Sequence, residues 1–351
     1  MPVVSAPHLR AWSERVLIAA GALPEHAAVV AESLVAANLR GVDSHGIHLL
    51  VSYLDQIHAG DVDVRATGAI ATESGACMIY DGQNGLGQVV SAACVDHAIR
   101  LAEQFGLGMV TSRESNHFGA AAWWAMKIAQ TGKIGLVFCN ASPIVPPWQG
   151  REGRFGTNPI CMAVPGGRRD PWLLDMATTT VAANKVFKAY ANHEPSIPAG
   201  WAMDSQGVPT TDTKAAYEGL LMPLGGYKGS GLAMMVEILC GVISGGAMST
   251  ELGGLRVRGR QVRNSQTFIA IDVLRMQPDF RERIDWLIDQ VKSAAPASGY
   301  DEVLVANEPE LRTERVRLEL GIPIAEGTYE ALVAAAVRVG VTLPLSSHQP
   351  A

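Results

Sequence analysis

Residues 77–138 read CMIYDGQNGLGQVVSAACVDHAIRLAEQFGLGMVTSRESNHFGAAAWWAMKIAQTGKIGLVF. Cys77–Gly82 has the character of a strand and turn, and Val89–Phe105 that of an amphipathic helix. Gly108–Ser112 follows as a short strand, Ala120–Gln130 as a helix and Ile134–Phe138 as a buried strand. This alternation predicts a mixed α/β protein.

The same stretch and the rest of the chain lack the fingerprint of the common doubly wound dinucleotide fold, GxGxxG between a strand and a helix. Gly106-x-Gly108 is followed by Thr111, Gly229-Ser230-Gly231 by Met234, and Gly82-x-x-Gly85-x-Gly87 has its spacing reversed. No Walker A loop, HExxH or GxSxG occurs. A dinucleotide, if bound, needs another scaffold.

Upstream, residues from about Ala6 to Ala59 read as helical. Leu9, Trp12, Val16, Leu17 and Ala20 recur at helical spacing, Gly21 ends that helix, and Pro24 opens the next. Asp43 or Ser44 is expected to cap a third helix running through Ile47, Leu50 and Leu54. Downstream, Ser142–Gly156 is Pro/Gly-rich loop, Ile160–Val164 and Trp172–Leu174 are strands, and Leu232–Gly245 is a long apolar helix. Gln266–Ile271 is a strand and Asp279–Ala294 a helix.

The chain has 351 residues, enough for about two domains. It is 48% hydrophobic and 18% charged, which rules out a disordered chain. A net charge of −6 gives no general attraction to nucleic acid. No apolar run reaches the roughly 18–20 residues that span a bilayer, and the N-terminus lacks the pattern of a secretory signal. Cys77, Cys94, Cys139, Cys161 and Cys240 are scattered and form no CxxC, so reduced thiols in a cytoplasm are expected. His45 and His48 with Asp43 lack a third ligand at a recognisable spacing, so no metal is expected.

Five segments carry the chemistry. Ser44-His45-Gly46 places a titratable ring beside helix N–H groups, which suits an anion and a proton relay. Asn116-His117-Phe118-Gly119 follows a strand end, where α/β proteins place reactive groups. Gly156-Thr157-Asn158-Pro159 is a turn entering a strand. Asp175-Met176-Ala177-Thr178-Thr179-Thr180 offers hydroxyls and free N–H groups to a pyrophosphate. Pro223–Gly231 offers glycines and one cation, Lys228, to a phosphate or carboxylate.

Taken in order, with Ile197–Asp204, Gly207, Thr210 and Asp212 between the last two, these segments resemble the malate/L-lactate dehydrogenase family that lacks a Rossmann fold. The resemblance runs from about Leu9 to Leu343. It implies an α/β, non-Rossmann, NAD(P)-binding mixed-sheet domain with a helical N-terminal region and discontinuous domains. The implied division is 1–68 helical, 69–255 cofactor-binding and catalytic core, and 256–345 folding back on both. It implies a homodimer that uses NAD or NADP on a small 2-hydroxy or 2-oxo acid. His45 and His117 match catalytic positions; Ser44, Tyr53 and Asn116 match substrate contacts. Thr157, Asn158, Asp175, Met176, Ala177, Thr178, Thr179, Thr180, Tyr227, Lys228, Gly229, Asn307 and Glu308 match cofactor contacts.

Two departures stand out. The family's late Pro-Gly is Ala306-Asn307 here, and its arginine four residues after the first histidine, a clamp on the substrate carboxylate, is Leu49. Arg40, Arg113 and Arg154 remain as cations for that role. An imidazole of pKa about 6.5 moves a proton either way near neutral pH, which fits either histidine. Two alternatives keep the same scaffold: a reductase of a cyclic imine carboxylate, and a dinucleotide-binding relative without catalysis.

Overall fold

The structure is a computed structural model that describes residues 1–342. The last three positions of the expected 256–345 segment, beginning with Leu343, lie outside the described residues. β1 (Val3–Val4) leads into α1 (Ala6–Ala19) and α2 (Pro24–Leu39), each with a proline in its first turn. The expected third helix starts later than the sequence suggested. Asp43–His45 forms a single 3-10 turn, and α3 covers Leu49–Ala59. Neither Asp43 nor Ser44 caps it. Asp43 is instead engaged by Asn38 Nδ2 (2.6 Å) and Arg317, and the Asn38 amide oxygen takes the Ile47 N–H at 2.7 Å. A tertiary clamp thus replaces local capping.

The centre of the molecule is a seven-stranded sheet. In chain order its first strands are β2 (Ala69–Ser74), β3 (Cys77–Asp81), β4 (Leu107–Ser115), β5 (Ile134–Cys139), β6 (Ile160–Val164) and β7 (Trp172–Met176). Helix α4 (Gly87–Phe105) crosses from β3 to β4, which makes that pair parallel, and α5 (Ala121–Gln130) links β4 to β5. Beyond β7 come α6 (Ala183–Ala191), the small strands β8 (Ala202–Met203) and β9 (Pro209–Thr210), α7 (Thr213–Glu218), β10 (Leu220–Leu221) and α8 (Tyr227–Glu237). β11 (Asn264–Ile271) then returns to the sheet, giving the order β2-β3-β4-β11-β5-β6-β7. All pairs except β3–β4 are antiparallel. α9 (Phe280–Lys292), α10 (Glu308–Leu320), β12 (Ile322–Pro323) and α11 (Glu326–Arg338) complete the described chain.

The apolar helix expected from Leu232 begins five residues earlier, at Tyr227, and Ile238–Val242 is wound as a π-helix. Gly229 and Gly231 lower helix propensity by about 1 kcal/mol each, and packing overrides that.

One core joins α1–α3 with β12 and α11 around Trp12, Leu34, Leu50 and Leu332. A second packs α4 and α5 on the sheet around Val90, Leu101, Trp124 and Phe268. The late segment therefore contributes to both: β11 to the sheet, β12 and α11 to the helical region.

Candidate active site

His45 closes the turn clamped by Asn38. Gly46 beside it must lack a side chain, since a Cβ there would stand 2.2 Å from Asn38 Oδ1. His117 lies just beyond the end of β4. The Asn116 amide donates to the Gly85 carbonyl at 2.8 Å and to Asn84, while Gln266 Nε2 donates to the Asn116 carbonyl at 2.9 Å. The start of α4 packs under this segment, where a Cβ on Gly87 would meet the Asn116 carbonyl at 2.2 Å.

These two supports bring the imidazoles together. Their centroids are 5.9 Å apart and their planes 16° from parallel. Tyr53 on α3 places its hydroxyl 2.8 Å from His117 Nδ1, and Gln88 Nε2 donates to that hydroxyl at 2.9 Å. The Gly119 N–H also points to Nδ1, at 3.3 Å. A backbone N–H can only donate, so Nδ1 is an acceptor and the neutral ring carries its proton on Nε2. His45 Nδ1 meets Ser44 Oγ at 2.9 Å. A hydroxyl donates or accepts, so this ring keeps both tautomers open.

Both rings line a cleft of about 780 Å³. Burial lowers the His45 pKa to about 4, with the positive charge of His48 adding to the effect. Burial, then His45, His48 and Arg256, lowers His117 to about 3. Asp175 shares the wall. The residue is exposed on that wall, and desolvation by the protein around it raises its pKa to about 6 even though the Ala122 N–H (2.9 Å) and the charge of Arg40 hold it down.

The cleft also receives Ser44, Thr157, Met176, Ala177 and Asn307 from the residues expected at the site. Others do not reach its walls. Tyr53 is buried behind His117, and Asn116 is turned into the 84–85 turn. Asn158 is fully buried and ties Ala141 to Ala233 and Glu237 on α8. The Thr178 and Thr179 hydroxyls bond to the Thr157 and Val181 carbonyls, and Thr180 is exposed. Glu308 pairs with Lys292 at 2.7 Å. Tyr227, Lys228 and Gly229 open α8 away from the cleft lining. Of the candidate arginines, Arg113 pairs with Asp81 and Arg154 with Glu152, both off the cleft, while Arg40 lines it. Gln88, Asn184 and Arg256 escaped the sequence reading. The Arg256-Val-Arg-Gly-Arg260 run was the only signal, and it reads as an ordinary basic loop.

Small side chains at Ala120, Ala121, Ala122, Ala141 and Ala177 leave the walls open to a flat, extended ligand. Arg40 Nε is buried without a partner, and Asp175 uses only one oxygen toward the protein. An orphaned donor, a free carboxylate oxygen and a cavity of this size fit a dinucleotide with its phosphate oxygens and ribose hydroxyls. Among the described residues, no three His, Cys, Asp or Glu side chains converge as a metal site.

Comparison with known proteins shows which family the chain and its fold match. The family model for malate/L-lactate dehydrogenase matches residues 4–333. The chain is 38% identical to malate dehydrogenase of Pyrococcus horikoshii over 337 residues, 93% of this chain and 92% of that one. It is 33% identical to ureidoglycolate dehydrogenase (NAD(+)) of Escherichia coli, over 95% of this chain and 96% of that one. The solved sulfolactate dehydrogenase of Methanocaldococcus jannaschii superposes with a TM-score of 0.90 at 33% identity, covering 98% of both chains.

Proposed function

The chain belongs to the malate/L-lactate dehydrogenase family, nicotinamide-dependent oxidoreductases of hydroxy acids, and from that premise we propose that its two cleft histidines divide the work on the substrate oxygen. The stacked pair of rings, one with a locked tautomer and one without, carries this reading. His117 presents Nε2–H to the oxygen and holds it as a fixed donor. His45 takes the hydroxyl proton on Nε2 during oxidation and returns one during reduction, while its Nδ1–H donates to Ser44 Oγ in both the neutral and the charged ring. Asp175, Arg40, Thr157, Met176 and Ala177 are the residues that would hold the cofactor. When bound, the nicotinamide accepts or supplies the hydride at the carbinol carbon. The Nδ1 contacts from Tyr53 and Gly119 keep the His117 ring aimed throughout.

Turnover of a 2-hydroxy/2-oxo acid panel, after NADH and NADPH fluorescence titrations that separate the two cofactors, tests the assignment. His45→Gln is expected to lower kcat by about 10²–10⁴-fold and to abolish the acid limb of the oxidation profile. His117→Gln is expected to lower kcat by about 10²–10³-fold, as for loss of one donor, and to retain that limb. Full turnover in either variant removes that histidine from its role.

We also assign a cytoplasmic homodimer. Tyr227, Met234, Ile238 and Val242 are exposed along α8 and its π-wound continuation, an apolar row suited to cover by a second copy. Buried thiols at Cys94, Cys139, Cys161 and Cys240, all unpaired, support a reducing compartment. No helix among the described residues is long and apolar enough to cross a membrane. Sedimentation at the monomer mass would remove the dimer.

A further inference from the structure

A hydroxy acid brings a carboxylate into the cleft, and a carboxylate leaving water needs a cation. Two arginines line the walls, and among the described residues no lysine does. Arg40 belongs to the Asp175 end. It donates to Asn307 Oδ1 and reaches Glu314 at 3.4 Å, and its charge acts on Asp175 and Cys161.

Arg256 belongs to the histidine end. Its Nη2 donates to Asn184 Oδ1 at 3.1 Å, and its guanidinium lies 4.8 Å from the Phe187 ring centroid. Asn184 in turn donates to the Ser44 carbonyl at 2.9 Å, one residue before His45. Behind burial, the Arg256 charge acts on His48, and behind burial and the two neighbouring histidines it acts on His117. The other N–H groups of Arg256 have no partner among the described residues. Leu49, Ile144, Phe187 and Val257, apolar residues, line the same cleft, with the Phe187 ring beside the guanidinium.

We propose that Arg256 receives the substrate carboxylate, and that the cleft selects 2-hydroxy acids with one negative charge and an apolar side chain over dicarboxylates and sulfo acids. The proposal rests on the dehydrogenase reading above. The guanidinium fork matches a carboxylate bidentately, with Asn184 and Phe187 fixing its plane. A second anionic group would face Leu49 and Phe187 with no cation to meet it.

The test uses the full chain with saturating cofactor. The unaltered protein is expected to show kcat/KM for 2-hydroxyisocaproate at least about tenfold above that for malate, since one unmet charge costs at least that much. Arg256→Ala is expected to raise KM about 30-fold with kcat within about threefold, as for loss of a charged hydrogen-bonded pair. Oxamate, an unreactive 2-oxo acid mimic, should lose affinity by the same factor in titration calorimetry, while NADH affinity and the melting curve stay unchanged. Arg256→Lys should recover part of the loss, and Leu49→Arg in the Arg256→Ala background should turn preference toward malate. Unchanged KM and oxamate affinity in Arg256→Ala overturns the anchor, and preference of the unaltered protein for malate overturns the selectivity. Absence of turnover by the unaltered protein on every acid, with both cofactors, overturns the function and this proposal together.

Discussion

Burial keeps the His45 and His117 rings neutral, and this has a consequence for stability. Free histidine titrates near pH 6.5, whereas these rings titrate near 4 and 3. Between pH 6.5 and 4 the unfolded chain therefore takes up protons that the native chain refuses, and acidification favours unfolding. The loss is at most about 1.4 kcal/mol per pH unit for each ring, and less in an open cleft where solvent screens. Asp175 acts in the opposite sense. Its folded pKa of about 6 lies above the unfolded value of 3.8, so the native chain holds an extra proton between those limits and is stabilised there as pH falls. Asp175→Asn removes that offset. Urea midpoints followed from pH 6.5 to 4 should fall more steeply for Asp175→Asn than for the unaltered chain, and parallel curves would contradict the raised pKa of Asp175. The same scale explains a departure seen in the sequence. Asn307 has φ of +90°, a region that glycine enters freely and asparagine tolerates, and its side chain anchors Arg40 and the Pro171 carbonyl.

At the scale of elements, the site depends on how tightly α4 meets the end of β4. Gly87→Ala places a methyl 2.2 Å from the Asn116 carbonyl and 2.4 Å from that of His117, so strand end or helix must yield. Overpacking of this kind costs about 1–3 kcal/mol and moves the His117 ring off His45. The expected result is a lower melting temperature together with a lower kcat. Gly327→Ala in α11, with nothing within 4 Å of its Cβ, should leave kcat unchanged and raise stability by up to about 1 kcal/mol. Equal effects of the two substitutions would show that the close approach is not what positions His117. Such contacts also mark the limit of what the sequence displays. The strands and helices from Cys77 to Phe138 were legible because their periodicity is local. The start of α3 was not, because the side chain of Asn38 at the end of α2 and Arg317, 274 residues beyond Asp43, hold the 43–47 turn. His45 and His117 stood out as polar residues at turns, whereas Gln88 and Arg256 acquire their places only through Tyr53 and Asn184.

For the whole molecule, the decisive feature is that β11 fills the middle of the sheet from late in the sequence. Gln266 pairs with Ser112, 154 residues away, and with Cys139 on its other side. A return of the late segment was expected from the family resemblance; its insertion between β4 and β5 follows from no local pattern, since a strand's periodicity names its face and not its neighbours. Without β11, β4 and β5 would each present an open edge, and Val110 and Val137 would lose the packing of Phe268. The helical region would also lose Ile322, Ile324 and Leu332 from its core. A chain ending at residue 255 should therefore fail to melt cooperatively and should aggregate, despite containing both histidines, Asp175 and the whole of α8. Supplying residues 256–351 as a separate chain during expression should restore some soluble, cooperatively melting protein, because β11 pairs with both β4 and β5 and so removes both open edges. If the 1–255 fragment melts cooperatively near the temperature of the full chain, the sheet is held by its first six strands alone and β11 is an accessory rather than its keystone.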